Sequence, residues 1–312
     1  MQMLQNQEQK GYIQVFIAGA LWGCIGPFIQ LMEQYGSNAF FTSFLRMAFS
    51  FLILAAITAA KYGVSSFRIR PKALLSCALL GLICHGIYNV FYSVAVVKAG
   101  VSVSAVLLNT APVFTLIFSC LLFQEKITGI KIVALIVNIL GCTLAAGVGS
   151  FDAVTFSVVG IVCGVGAGLC YALTAIIGRL AGETGNIFVV STYSYLFAAV
   201  FLMLFSRPFG EAAQMSKEVY ILGFFLALIP TAIAYLFYYQ GLQKITESSR
   251  VPVIASVETV VAVIIGVAAF KEKLTAISLA GILMVIFSIL LMNRKHRCAE
   301  KRCLEEIDSN HH

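Results

Sequence analysis

The sequence predicts an all-α integral membrane protein with ten transmembrane helices, arranged as two inverted five-helix repeats. Three observations predict it. The composition is too apolar for water: 60% of the 312 residues are hydrophobic, 11% are charged, and the mean hydropathy is +0.94. Soluble domains carry roughly 25% charged and ~45–50% apolar residues, so an ordinary soluble enzyme is excluded. Apolar runs of membrane-spanning length recur along the whole chain. The chain also matches itself at a fixed offset.

The runs cover about 12–32, 39–60, 73–97, 101–123, 130–149, 157–180, 187–206, 219–242, 251–270 and 276–293. Each is close to the ~20 residues that cross ~30 Å of hydrocarbon. They are continuous rather than alternating at every second residue, which excludes a transmembrane barrel. A helix satisfies its backbone groups internally, as the bilayer interior demands. The first run follows a Gln-rich segment with one lysine, Lys10, and no small-residue cleavage site comes after it. It reads as a retained helix, not a signal peptide.

The charges orient these helices. The net charge of +7 is spread thinly between apolar runs, which is the pattern of membrane flanks and not of nucleic-acid binding. With the N-terminus in the cytoplasm, fifteen Lys and Arg fall inside and five outside (Lys98, Arg207, Lys217, Lys271 and Lys273), while Arg46 lies within a run. This bias predicts a multi-pass protein of the plasma or inner membrane with both termini cytoplasmic. The polar stretch 206–218 then lies outside. Seven of the nine cysteines sit inside apolar runs, where cysteine acts as a small hydrophobe. Cys298 and Cys303 stand beside His296 in a basic tail that reads as solvated, and His311 and His312 are either native or an added pair.

The repeat appears at an offset of 147. Tyr88, Tyr92, Phe123, Glu125, Lys126 and Thr128 fall on Tyr235, Tyr239, Phe270, Glu272, Lys273 and Thr275. The pattern F-x-E-K-(I/L)-T thus closes the fourth and ninth runs. Five helices per repeat is an odd number, so the second copy is inverted across the membrane. The expected organisation is a cytoplasmic N-terminus at 1–11, repeats at 12–149 and 157–293, and a basic cytoplasmic tail at 294–312. Inverted repeats are a transporter architecture, with the substrate site near the midplane between the halves.

Four motifs carry a resemblance to a known family. They are A-L-W-G at Ala20–Gly23, F-L-R at Phe44–Arg46, A-P-V-F at Ala111–Phe114 and V-E-T-V at Val257–Val260. With the F-x-E-K endings, the chain resembles the EamA-like group of the drug/metabolite transporter superfamily over about 12–293. It departs from that pattern at Thr259, where proline commonly follows the glutamate, and at Cys170-Tyr171-Ala172, where a tryptophan is common. The resemblance implies carrier-type transport, often export. Amino acids, sugars, nucleotide conjugates and drugs are all carried in the family.

Candidate site residues follow from polarity at depth. Arg46 and Glu258 are the charges deep inside runs, where an ionised group needs a cavity or a partner. Their positions along the helices separate them by roughly 10 Å of depth, which favours two charges lining one cavity over a tight bridge. Tyr88, Asn89 and Tyr92 share a helix face with His85, and Tyr235 and Tyr239 are the repeat counterparts of Tyr88 and Tyr92. Asn109 lies beside Pro112, which frees a carbonyl one turn back. Trp22 lies away from the interfacial belt. These residues read either as a substrate cavity or as helix-packing contacts. Glu258 and His85 are the proton-coupling candidates, His85 alternatively being a packed neutral residue. The glycines Gly160, Gly164, Gly166 and Gly168 are expected to let their helix approach a neighbour closely. Glu125, Lys126, Glu272 and Lys273 sit at helix ends near the headgroups and read as local ion pairs or, alternatively, as gate contacts.

The expected function is secondary active transport, as a metabolite exporter working by alternating access. One deep cation, one deep acid and several aromatics suit a small zwitterion, amino acids first. The alternative is a cationic amphiphilic drug or quaternary amine caged by Glu258 and tyrosines. A membrane enzyme would need clustered His, Asp or Glu, and a sensor would need a soluble domain. No cofactor or metal is expected. The partners are the solute, the bilayer, protons as coupling ion, and at most a second copy of the chain in a homodimer.

Overall fold

The computed structural model describes residues 2–99, 101–146, 157–206, 208–212, 215–271 and 274–293. The 294–312 tail, Glu272, Lys273 and Arg207 lie outside the described residues, as do the expectations placed on them. Ten apolar helices appear in order among the described residues. They are α1 (Gln2–Trp22, resuming as Ile25–Gln34), α2 (Ala39–Tyr62), α3 (Pro71–Ala99), α4 (Val101–Leu108, resuming as Ala111–Phe123) and α5 (Gly129–Ala145), then α6 (Val158–Thr184), α7 (Ile187–Ser206), α8 (Lys217–Leu242), α9 (Val251–Ala255, resuming as Val257–Phe270) and α10 (Ala276–Asn293). Among the described residues eight of them are long and apolar enough to cross a bilayer, while Gly129–Ala145 and Ala276–Met292 are shorter apolar helices. No strand occurs among the described residues.

Local chemistry sets the helix ends. Asn38 caps α2 by accepting from Phe41 N at 2.9 Å, and Ser157 caps α6 by accepting from Gly160 N at 3.3 Å. Gly63, at φ +76°, ends α2, a conformation that costs glycine nothing sterically. α1 begins at residue 2, earlier than the apolar run. Its polar first turns are held by Glu8, which accepts from Tyr12 Oη at 3.0 Å and from Thr246 N at 3.3 Å. Outward-facing residues such as Leu204, 75% exposed, belong against lipid.

Each helix of the first half packs mainly on a helix of the second. The dominant pairs are α1 with α8, α2 with α7, α3 with α6, and α5 with α10. Small residues allow close backbone approach. A Cβ on Gly281 would lie 2.2 Å from Ala145 N, so α5 and α10 touch backbone to backbone there. The glycines of α6 act as the sequence suggests. A Cβ on Gly160 would meet Ala99, one on Gly164 Leu107, and one on Gly168 Thr110.

Candidate substrate site

Three helices are broken along their length, and each break lies beside a predicted residue. α1 breaks at Gly23–Cys24, directly after Trp22. α4 breaks at Asn109–Thr110, where Thr110 Oγ1 donates to Leu107 O at 2.6 Å. α9 breaks at Ser256, two residues before Glu258, and Ser256 Oγ donates to Val253 O at 2.6 Å. Hydroxyls that take a carbonyl one turn back compete with the helix ladder. Pro112 and Pro252 each remove a donor nearby.

Two further helices bulge instead of breaking. The i→i+5 pattern runs through Leu80–Ile87 in α3 and Leu228–Ile233 in α8. Pro230 supplies no N–H in the second bulge, and Thr231 Oγ1 takes up Leu226 O at 2.8 Å. In the first, Asn89 Nδ2 donates to His85 O at 2.5 Å, and Asn89 Oδ1 accepts from Ser43 Oγ at 3.1 Å. Asn89 is therefore engaged at both ends of its amide, holding α3 in shape and tying it to α2. Such bulges recur at functional sites.

An aromatic cluster lies between these irregular segments. Trp22 packs on Tyr171, Tyr235 and Tyr238, with ring centroids at 6.1, 4.9 and 5.0 Å. His85 sits between Tyr195 and Tyr235, at 5.1 and 4.9 Å, and its Nε2 is 3.4 Å from Tyr239 Oη. Tyr88 stacks on Tyr92 at 6.0 Å and reaches Tyr171 at 6.2 Å. Six of the candidates (Trp22, His85, Tyr88, Tyr92, Tyr235 and Tyr239) thus fall into one assembly. Among the described residues no side-chain hydrogen bond joins Asn109, at the α4 break, to that assembly.

The two deep charges face this aromatic cluster. Arg46 is buried and acts electrostatically on His85, Tyr88, Tyr195 and Tyr235. Glu258 acts on Tyr88, Tyr92, Tyr171, Tyr235 and Tyr238. Among the described residues no ion pair within 4.0 Å involves either group. Trp22 Nε1, Arg46 Nε, His85 Nδ1 and Tyr195 Oη are buried with no hydrogen-bond partner among those residues. They are four of eleven such atoms among the described residues, and these four gather around one cluster of rings.

Sequence reasoning missed two members, Tyr195 and Tyr171. Tyr195 and Tyr238, the latter on the same helix as Tyr235 and Tyr239, are the largest fully buried side chains among the described residues, and Tyr171 bridges Trp22 and Tyr88. Their signal was a tyrosine inside an apolar run away from the interfacial belt, the one used for Trp22. The support beneath Glu258 was also missed. Asn138 in α5 is fully buried and donates to Ser256 Oγ at 2.6 Å and to Ser288 Oγ of α10 at 3.0 Å. Thr259 Oγ1 adds a contact to Cys142 Sγ at 3.7 Å.

Glu125 follows the end of α4 and is buried there, beneath the turn that leads into α9. Its carboxylate accepts from Ser248 N at 2.6 Å, Ser249 N at 3.3 Å and Ser249 Oγ at 2.5 Å. Lys131 and Arg179 stand 3.6 and 4.0 Å away.

Comparison with known proteins agrees with this architecture. The profile of the EamA-like transporter family matches residues 9–147 and again 158–294. The chain belongs to the EamA-like transporter family. An uncharacterized transporter of Archaeoglobus fulgidus is 25% identical over 286 residues, 91% of this chain and 97% of that one. The uncharacterized inner membrane transporter YicL of Salmonella typhimurium is 22% identical, covering 93% of this chain and 97% of its own. The uncharacterized transporter YxxF of Bacillus subtilis is 23% identical over 97% of each chain. A solved crystal structure superposes with a TM-score of 0.78 at 15% identity, over 91% of this chain and 97% of that one, a likeness of fold alone. This EamA-like chain is a multi-pass membrane protein of a transporter family.

Proposed function

We propose that this EamA-like protein is a secondary exporter of the cell membrane that moves small zwitterions, amino acids first, by alternating access around the aromatic cluster. The observation that carries the reading is the pair of deep charges facing one aromatic cluster. Arg46 with the Tyr195 and His85 polar atoms forms an end for a carboxylate, and Glu258 with Tyr88, Tyr92 and Tyr171 forms an end for an ammonium. Preorganised groups of both signs in a water-poor space recognise a solute that brings its own counter-charges.

The inverted-repeat organisation of ten spanning helices belongs to the same proposal, and three observations support it. The breaks at Asn109 and Ser256 are 147 residues apart, and so are the left-handed caps Gln124 and Lys271, at φ 54° and 56°. The bulges of α3 and α8 overlap at that offset. Exchanging the halves carries the pair α1–α8 onto α3–α6 and leaves α2–α7 and α5–α10 unchanged. Both termini are placed in the cytoplasm by the charge bias. No resident cofactor takes part, and a proton carried on Glu258, with His85 in the aromatic cluster, is the proposed coupling ion. The working unit is one chain or a homodimer.

A second reading rests on the tyrosines around Glu258. A quaternary amine would use the carboxylate and the ring faces and would ignore Arg46. Counterflow in proteoliposomes with an amino-acid panel and a quaternary-amine panel separates the two. Zwitterion flux falls in both Arg46→Ala and Glu258→Ala, whereas amine flux falls only in the second. Absence of protein-dependent flux for every solute tried sinks both readings. Glu258→Gln is expected to transport without dependence on a pH gradient, and unchanged proton-driven flux in that variant refutes the coupling role.

A further inference from the structure

The buried charges at the ends of α4, α5, α6 and α9 take no part in the aromatic cluster. We propose that they form a latch, centred on Glu125, that holds the cytoplasmic end of the protein shut. The proposal rests on the alternating-access reading and on the cytoplasmic placement of this end.

The contacts cross between the halves. Glu125 and Lys131 come from the first half. Ser248, Ser249, Glu247 and Arg179 come from the second. Glu125 accepts both backbone N–H groups and the Ser249 hydroxyl at the entry of α9, where a carboxylate also complements the helix dipole. Lys131 Nζ lies 3.6 Å from Glu125 and 3.2 Å from Glu247. Arg179 reaches Thr246 O at 2.9 Å and Ser248 Oγ at 2.8 Å while remaining 4.0 Å from Glu125. On the far side Arg250 binds Glu247 and donates to Met292 O at 3.2 Å and to Tyr12 Oη at 3.5 Å. One cluster thereby ties α1, α4, α5, α6, α9 and α10 together.

The chemistry suits a reversible closure. Glu125, Lys131 and Arg250 are 9%, 3% and 5% exposed. Buried charges are tolerated when paired and heavily penalised when one partner is removed. If the helices part and water enters, the same charges are hydrated instead. An apolar seal would oppose wetting at every opening, whereas an ionic one exchanges protein partners for water with a small net change. The seal has two acceptable states, dry and paired or wet and apart.

The test reads accessibility without any transported solute, so failure to find a substrate leaves it intact. A reporter, Tyr171→Cys, is placed in the full chain after replacement of the native cysteines. It is labelled with a membrane-impermeant maleimide in right-side-out and inside-out vesicles. Glu125→Gln is expected to raise labelling from the cytoplasmic face about tenfold or more, the shift that follows when a set of charge-assisted hydrogen bonds is withdrawn from one of two states. Labelling from the other face falls in parallel. Ser249→Ala, which removes a single hydroxyl donor, shows the same change to a smaller degree and decides the matter if Glu125→Gln does not fold. Unchanged labelling in folded variants, or a rise from the outer face alone, overturns the latch.

Discussion

Asn138→Ala removes the side chain that anchors the α9 break beneath Glu258. Its Nδ2 donates to Ser256 Oγ at 2.6 Å and to Ser288 Oγ at 3.0 Å, from a site with no solvent exposure. Such bonds contribute ~1 kcal/mol each in soluble proteins and average ~0.6 kcal/mol between membrane helices. Two of them give a loss of about 1–2 kcal/mol. The unpartnered Asn138 Oδ1 disappears with the side chain, which offsets part of that loss. The coupling between positions is therefore more diagnostic than the single-variant value. A double-mutant cycle of Asn138→Ala and Ser256→Ala, followed by unfolding in detergent, should show a coupling of about 0.6–1 kcal/mol. The same pair should be non-additive in solute affinity, because Ser256 sets where α9 resumes and Glu258 follows two residues later. Stabilities that add within ~0.3 kcal/mol would refute the anchoring argument.

Other expectations are open to direct measurement. Trp22→Ala, which removes three ring contacts of ~0.5–1.5 kcal/mol each, should weaken solute-induced thermal stabilisation far more than Trp22→Phe, and equal loss in both would count against a stacking role. Gly281→Val drives a side chain into the Ala145 backbone and should reduce the monodisperse folded fraction, with overpacking of ~1–3 kcal/mol; a variant as stable as the parent contradicts the contact. Glu247 is partly buried, which opposes ionisation, but the Arg250 and Lys131 charges outweigh that and hold its carboxyl below the usual glutamate value. A depressed folded-state value stabilises at pH above the ordinary carboxylate range and is lost as pH falls through the folded one. Thermal melts of the parent and Glu247→Gln should therefore converge on acidification, and a constant gap between them excludes the pairing.

Much of the fold was legible because the bilayer imposes length and continuity on every run. The break near Pro112 was legible for the same local reason, a missing backbone donor. The break at Ser256 was not, since a hydroxyl that bonds back to Val253 looks in sequence like any serine in a helix. Within the aromatic cluster, Trp22, His85, Tyr88 and Tyr235 stood out as polar or aromatic groups at depth. Tyr195 did not, because it closes the polar cluster Ser191-Thr192-Tyr193-Ser194-Tyr195, in which nothing local separates its buried ring from that of Tyr193, whose hydroxyl donates to Phe67 O. Glu125 was visible as a helix-end acid, but its partners Ser248 and Ser249 are 123 and 124 positions away, beyond any local pattern.

The crosswise helix pairing bears on biogenesis. The family profile recognises 9–147 and 158–294 as two separate units, yet α1, α2, α3 and α5 find their main neighbours in α8, α7, α6 and α10. A ribosome that has released only the first unit has delivered five helices whose small-residue faces still lack their mates. Gly141 on α5 stays uncovered until Gly281 and Val285 arrive. The two units are legible as modules in sequence but obligate partners in assembly, so the first half expressed alone should be cleared by quality control, and co-expression of the two halves should rescue it.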